Sequence, residues 1–251
     1  MIAVSHLSKR YPGAEAPALD DLSFTVGKGE ICGLLGRNGA GKSTTLNILT
    51  GCLAPSSGHV KIDGIDLWED PVSAKRRIGY APEIPPLYPD MTLREYLTFV
   101  CRAKSVADPR AEAARVMEAA ALTRHADSRL AILSKGNRQR AGLAQALIGD
   151  PPILILDEPA IGLDPEQITR LRSLIASLRT GHTILLSSHI LSEVSLLCSR
   201  IVLLSQGHLA ADDTPEGLLS KSGKKTLEEA FLTLTSDAPD EDDEPQKGRR
   251  R

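Results

Sequence analysis

The stretch Ile31-Cys32-Gly33-Leu34-Leu35-Gly36-Arg37-Asn38-Gly39-Ala40-Gly41-Lys42-Ser43-Thr44 decides how the rest of the chain is read. A short apolar run ends at a glycine, and the pattern Gly-x-x-x-x-Gly-Lys-Ser/Thr follows. The glycines let the backbone curl so that successive N–H groups point at phosphate oxygens. The residues from Thr44 to Leu49 then read as a helix, whose N-terminal dipole faces the same anion. Gly36, Asn38, Gly39, Ala40, Gly41, Lys42, Ser43 and Thr44 are therefore the predicted phosphate cradle. Lys42 would reach the outer phosphates, and the Ser43 hydroxyl would hold Mg²⁺. A glycine-rich turn with an exposed lysine is the alternative, and the strand before and helix after argue against it.

Further apolar runs extend this picture outward. Ile153-Leu154-Ile155-Leu156 ends at Asp157-Glu158, Thr183-Ile184-Leu185-Leu186-Ser187 ends near His189, and Ile201-Val202-Leu203-Leu204 follows. Such continuous apolar strands suit a sheet covered on both faces. Helix signals separate them: Asp164-Pro165 is a cap followed by a first-turn proline, and Thr92-Leu93-Arg94-Glu95 and Thr226-Leu227-Glu228-Glu229 read as capping boxes. The predicted fold is α/β, a P-loop NTPase core with a mostly parallel sheet. The first ~30 residues and His59-Val60-Lys61-Ile62-Asp63-Gly64 read as short strands of a small N-terminal antiparallel β subdomain. An inserted helical subdomain is expected over about 84–147, where the helical pattern is clearest from about residue 92. The domain would span 1–235, and 236–251, acidic then basic with no apolar face, reads as a disordered tail.

Composition narrows the function classes. The formal net charge of -2 supplies no electrostatic argument for a nucleic-acid partner, and 3% aromatic content leaves little for a base-stacking surface. Cys32, Cys52, Cys101 and Cys198 show no Cys-x-x-Cys pairing and read as reduced, buried thiols rather than a zinc site. Met1 to His6 lacks the basic start and apolar run of a secretory signal, and no window approaches the ~18 apolar residues of a membrane span. If the chain works at a membrane, a separate subunit must do the spanning.

Asp157 and Glu158 sit where a strand ends beside the phosphate loop. Asp157 is the predicted Mg²⁺ carboxylate and Glu158 the residue that orients or deprotonates water. With these in place, further motifs resemble the ATP-binding cassette (ABC) ATPases. Leu133-Ser134-Lys135-Gly136-Asn137 is similar to that family's signature loop, with a helix expected over 138–148. Gly162-Leu163-Asp164 resembles its D-loop, Ser187-Ser188-His189 its switch histidine, and Ile78-Gly79-Tyr80-Ala81-Pro82-Glu83 its Q-loop. Tyr11 sits where the family stacks an aromatic on adenine.

The resemblance implies an ATPase using ATP and Mg²⁺, with Glu158 and His189 catalytic. It implies that Ser134 and Gly136 contact nucleotide held by a second ATPase subunit in a head-to-tail dimer, here a homodimer. Ser43, Asp157 and Glu83 would serve the metal. It also implies separate transmembrane permease subunits and a cytoplasmic location, peripheral to the cell membrane, with 79–103 as the expected contact region. Four residues depart from the family pattern: Glu83 stands for the usual glutamine, Lys135 for glycine, Asn137 for glutamine and Ala160 for threonine. Together with Pro85-Pro86-Leu87-Tyr88-Pro89-Asp90-Met91-Thr92 and the ending 226–232, they are most similar to the ABC-2 type exporter branch, which includes multidrug-export and gliding-motility ATPases. Two other readings stay open on sequence alone. One is a soluble ABC ATPase acting on nucleic acid or ribosomes, disfavoured by a single cassette without sustained heptads. The other is a regulatory module without turnover, disfavoured by Glu158 and His189.

Overall fold

The computed structural model describes residues 1–235; the segment 236–251, expected as a disordered tail, lies outside the described residues. The chain opens with β1 (Ile2–Lys9), β2 (Leu19–Val26) and β3 (Ile31–Gly36), which runs into α1 (Lys42–Leu49). Strands β4 (Ser57–Ile62) and β5 (Ile65–Asp66) and helix α2 (Pro71–Arg76) precede β6 (Ile78–Ala81). Helices α3 (Leu93–Ala103), α4 (Pro109–Ala119) and α5 (Lys135–Ala146) follow, with short 3₁₀ turns at Thr123–His125 and Leu130–Ile132. The chain then returns through β7 (Ile153–Leu156), α6 (Pro165–Leu178), β8 (Thr183–Ser187), α7 (Leu191–Leu197), β9 (Arg200–Ser205) and β10 (His208–Asp213). It closes with α8 (Pro215–Ser222) and α9 (Leu227–Thr235).

Two sheets result. One is antiparallel, in the order β2-β1-β4-β5, and joins the N-terminal strands to the segment around His59. The other has the order β10-β9-β3-β8-β7-β6; its five strands from β9 to β6 are parallel, and β10 closes one edge antiparallel. The α/β architecture read from the apolar runs is the observed one. Every residue of β3, β7 and β8 is buried, as a parallel sheet covered on both faces requires. The parallel pairing puts the C-terminal ends of β3, β6, β7 and β8 on one edge. That edge carries the phosphate loop, the Glu83 loop, Asp157-Glu158 and His189, and it is where open α/β sheets bind ligands.

Helices α3, α4 and α5 pack on one another through Leu97, Cys101, Val116, Met117 and Leu143, all buried. The capping box predicted at Thr92 forms: Thr92 Oγ1 accepts from Glu95 N–H (3.2 Å), and Glu95 Oε2 accepts from Thr92 N–H (2.8 Å). At Thr226 only half forms. Glu229 N–H donates to Thr226 Oγ1 (3.2 Å), while the Glu229 carboxylate accepts from Lys225 N–H (3.3 Å) one residue outside the cap. Helix α5 starts at Lys135, earlier than the expected residue 138, because Ser134 Oγ caps it by accepting from Asn137 N–H (3.2 Å). Cys32, Cys101 and Cys198 are buried as expected; Cys52 is exposed, because α1 ends at Leu49 and leaves it in the following turn.

Strand β6 is held tightly on α5 at Gly79. A Cβ there would overlap the carbonyl oxygen of Ala146 and press on Leu154 Cδ2 at 2.8 Å. Backbone cannot move aside as a flexible side chain can. Gly79→Ala is expected to lower unfolding stability by about 1–3 kcal/mol, measured as a reduced urea midpoint at unchanged slope.

Candidate active site

The phosphate loop begins where β3 ends. Gly36 lies so close to β9 that a Cβ would sit 2.7 Å from the Leu204 carbonyl oxygen, and Gly41, at φ +102°, would press a Cβ on Leu19 and on the Ala18 carbonyl. These two glycines are required by close backbone approach and by a left-handed turn. Between them Arg37, Asn38 and Gly39 are exposed and Ala40 is buried. Helix α1 then starts with no side-chain cap and no acidic residue in its first turn, which leaves its first N–H groups free for an anion. Ser43 is exposed at this helix end.

Lys42 folds back over the loop. Its Nζ donates to the carbonyls of Gly36 (2.6 Å) and Arg37 (3.1 Å). Burial pushes its proton affinity down, and the nearby Glu158 and Asp157 partly restore it. The same ammonium can transfer from carbonyl oxygens to phosphate oxygens. Tyr11 stands at the loop's other side, its hydroxyl 3.4 Å from Thr44 Oγ1 and its ring partly exposed beneath Lys9 Nζ.

The acidic pair is anchored from two strands. Asp157 N–H donates to Ala81 O (2.9 Å) at the end of β6. The Ser187 hydroxyl, at the end of β8, donates to Asp157 Oδ1 (2.6 Å) and accepts from Glu158 N–H (2.9 Å). Glu158 itself adopts φ +45°, an uncommon conformation for a residue with a side chain, which turns its carboxylate toward His189. Glu158 Oε2 pairs with His189 Nδ1 at 2.7 Å and accepts from His189 N–H at 3.3 Å. His189 also lines a cleft of about 260 Å³ with Gly36, Arg37, Asn38, Ser188, Leu191 and Phe231, so it faces the phosphate loop.

Burial raises the Asp157 carboxyl above its ordinary value; the Ser187 hydrogen bond opposes this and the Glu158 charge adds to it. A carboxyl raised in the folded state contributes stability in acid that is lost as pH rises through its folded value. Asp157→Asn is therefore expected to melt at a higher temperature than wild type at neutral pH without nucleotide. The difference should vanish near the ordinary carboxylate value of about 4. Thermal melts across that pH range check the sign, and a lower melting temperature for Asp157→Asn at neutral pH would contradict it.

Glu83 follows β6, adjacent to the acidic pair, and its backbone carbonyl accepts from Gln139 Nε2 (2.9 Å) on α5. The side chain is exposed and lines a groove of about 520 Å³ with Ile84, Pro85, Leu87, Pro89, Lys135 and Gln139 among others. Ser134 and Gly136 lie elsewhere. Gly136 is buried beneath Gln167, whose Oε1 would meet a Cβ at 2.6 Å, and both residues line a cleft against α6 that no phosphate-loop residue shares. One chain thus brings together Tyr11, the phosphate loop, Asp157, Glu158 and His189, with Glu83 at the neighbouring strand end. It does not bring Ser134 and Gly136 to them.

Two contributors were not singled out from sequence. Ser187 stands in the sequence as the end of the run Thr183–Ser187 and within the histidine motif, and the hydroxyl that follows Ile184-Leu185-Leu186 is the one signal of its role. Phe231, from α9, reaches the phosphate-loop cleft, and nothing local in the sequence announces that contact. For a metal, no group of three or more His, Cys, Asp or Glu among the described residues forms a cage. The donors expected from the sequence are the Ser43 hydroxyl and the Asp157 and Glu83 carboxylates. Hard oxygens in small number suit Mg²⁺ carried with phosphates and water, not zinc.

Comparison with known proteins supports the fold. Residues 19–161 match the ABC transporter family. A Nod factor export ATP-binding protein I of Paraburkholderia xenovorans (strain LB400) is 41% identical over 212 residues, covering 82% of this chain and 69% of that protein. A solved ATP-binding subunit of an ABC transporter superposes with a TM-score of 0.84 at 34% identity, covering 94% of this chain and 99% of that one. A dimeric ATP-binding cassette in a post-hydrolysis state, bound to ADP and Pi, superposes with a TM-score of 0.77 at 27% identity, covering 85% of this chain and 98% of that one.

Proposed function

The chain belongs to the ABC transporter family, and from that premise we propose that it is the ATP-hydrolysing subunit that drives an exporter. ATP binding and hydrolysis follow from the family; the residue roles are our reading. The observation that carries it is the convergence of Lys42, Asp157 and the Glu158–His189 pair at the C-terminal edge of one parallel sheet. The loop N–H groups and Lys42 take the β- and γ-phosphates, and Tyr11 stacks on the adenine. Ser43 and Asp157 would hold Mg²⁺, with Glu83 close by; the ion's chemistry is to draw the phosphate charge into one rigid clamp. Glu158 orients or deprotonates the attacking water, and His189, fixed by Glu158, donates toward the γ-phosphate.

The missing half of the site comes from a second copy. Ser134 and Gly136 lie away from the chain's own phosphate loop, at an N-terminus of α5 that can donate to an anion. Two copies placed head to tail would each close the other's site, so ATP becomes part of the interface and hydrolysis weakens it. The dimeric relative supports this arrangement. The domain would comprise 1–235, with 84–147 as the moving helical lobe.

No helix among the described residues is long and apolar enough to cross a membrane. In this reading separate membrane-spanning subunits carry the transported substrate, with this chain on their cytoplasmic face. Their contact would be the groove beside Glu83, where Ile84 is 81% exposed and Pro85, Leu87 and Pro89 add apolar surface next to the site. The groove extends the region expected at 79–103 onto Leu130, Ala131 and α5. The export reading leans on the Nod factor export relative and on the Pro82–Thr92 sequence. Purification of the chain from membranes in mild detergent tests it. A membrane-spanning subunit should co-purify, and Ile84→Asp should lose it. Recovery with nucleic acid or ribosomes instead would favour the soluble alternative.

A further inference from the structure

The loop that carries Glu83 is fastened to α5 at several points. Pro82, Pro85, Pro86 and Pro89 restrict its backbone and have no N–H to donate. Side chains of the helical lobe hold it instead. Gln139 Nε2 donates to the Glu83 carbonyl (2.9 Å). Pro85 lies against Gly142, where a Cβ would sit 2.7 Å from Pro85 Cγ. The Tyr96 hydroxyl, from α3, lies within hydrogen-bond reach of the Pro86 carbonyl (3.2 Å) and of Gln145 Oε1. Gln139, Gly142 and Gln145 follow one another by three along α5, so they are neighbours on its surface. Strand β6 meets the same helix at Gly79 and the Ala146 carbonyl. The loop, β6 and α5 therefore move together.

Gln139 stands out among these contacts. It is 8% exposed, and the other buried residues of α5 are glycine, alanine and leucine. A buried amide costs stability unless its hydrogen bonds are made, and an apolar side chain would fill the place without that cost. The amide is spent on the backbone of Glu83, the residue whose exposed carboxylate stands beside the acidic pair. We propose that Gln139 is a positioning residue for Glu83. Its amide fixes the backbone from which the carboxylate reaches toward the metal and phosphates, so the carboxylate's place follows α5. This rests on the reading of Glu83 as serving the metal. A group shifted by about 1 Å from its working position can lose up to roughly 10²-fold in rate.

Gln139→Met tests this in the full chain, since it keeps length and burial and removes the amide. One readout needs neither nucleotide nor metal. A nitroxide is attached at Ile84→Cys, next to Glu83, in a Cys52→Ser chain, because Cys52 is the exposed native thiol. Its spectral lines should narrow in Gln139→Met as the loop loosens. The second readout is turnover against Mg²⁺. Gln139→Met should lower kcat by roughly 10–10²-fold and need more Mg²⁺ for half-saturation, with the KM for ATP little changed. In a Glu83→Ala chain the same substitution should cost less than about twofold more, because the two residues act as one unit. Gln139→Glu, which presents an acceptor to the carbonyl, should reproduce both effects if the methionine variant folds poorly. Unchanged spectral lines overturn the proposal. So does an equal loss of kcat with Glu83 and with Glu83→Ala, which would make Gln139 a structural part of α5. If Glu83→Ala turns over like wild type, the metal reading of Glu83 fails by itself, and the spectral lines then decide whether Gln139 places the loop.

Discussion

Lys42→Ala is expected to remove ATP turnover, lowering kcat by roughly 10²–10³-fold or more, the cost typical of deleting one preorganised donor to a charge-stabilising site. Lys42 is the one side chain of the phosphate loop whose ammonium already rests inside the loop, on the Gly36 and Arg37 carbonyls. Its charge is disfavoured there by burial and supported by Glu158 and Asp157. An ATP triphosphate offers that ammonium far better partners than two neutral carbonyls. The gain on binding is therefore large, and alanine forfeits all of it. The loop backbone itself should persist, since its shape depends on Gly36 and Gly41 and not on the lysine. Weaker nucleotide affinity by calorimetry, together with lost phosphate release and a near-native melting temperature, is the expected pattern. Undiminished turnover in purified Lys42→Ala would remove the site assignment altogether.

Much of this site was legible because its signals are local. Gly36, Gly41, Lys42 and Ser43 lie within eight positions, and the strand and helix flanking them have their own periodicity. Asp157-Glu158 was legible for the same reason, as charge abutting four buried apolar residues. The helical lobe announced itself through Thr92 and Glu95, whose bonds are three residues apart. What escaped depends on strand order instead. Ser187 meets Asp157 and Glu158 only because β8 lies beside β7, a pairing that no window of sequence around either can reveal. Phe231 reaches the phosphate-loop cleft, and Gln139 reaches the Glu83 carbonyl, only after distant segments have packed. The early start of α5 was missed because Lys135 and Gly136 read as loop, whereas Ser134 caps them into a helix. That shift matters: it turns the signature residues into a helix N-terminus, which is what a partner's phosphate would meet.

Glu158→Gln should separate binding from chemistry. Glutamine keeps the length of the side chain, and its carbonyl oxygen can still accept from His189 N–H and Nδ1, as Glu158 Oε2 does now. The left-handed backbone at this residue is also unchanged, so the pocket should keep its shape. What is lost is the negative charge that would orient or deprotonate water, worth typically 10²–10⁴-fold in rate. Phosphate release should fall by that factor while ATP affinity stays within a few-fold of wild type. If each copy's Ser134–Gly136 helix end completes the other's site, slow hydrolysis leaves ATP in the interface and the dimer accumulates. Light scattering with ATP and Mg²⁺ should then show a dimer for Glu158→Gln that wild type populates only transiently. Adding Lys42→Ala to the same chain should return it to monomer, because the ligand that bridges the copies no longer binds. A Glu158→Gln chain that hydrolyses slowly, binds ATP normally and still stays monomeric would keep the catalytic assignment and refute the two-copy site.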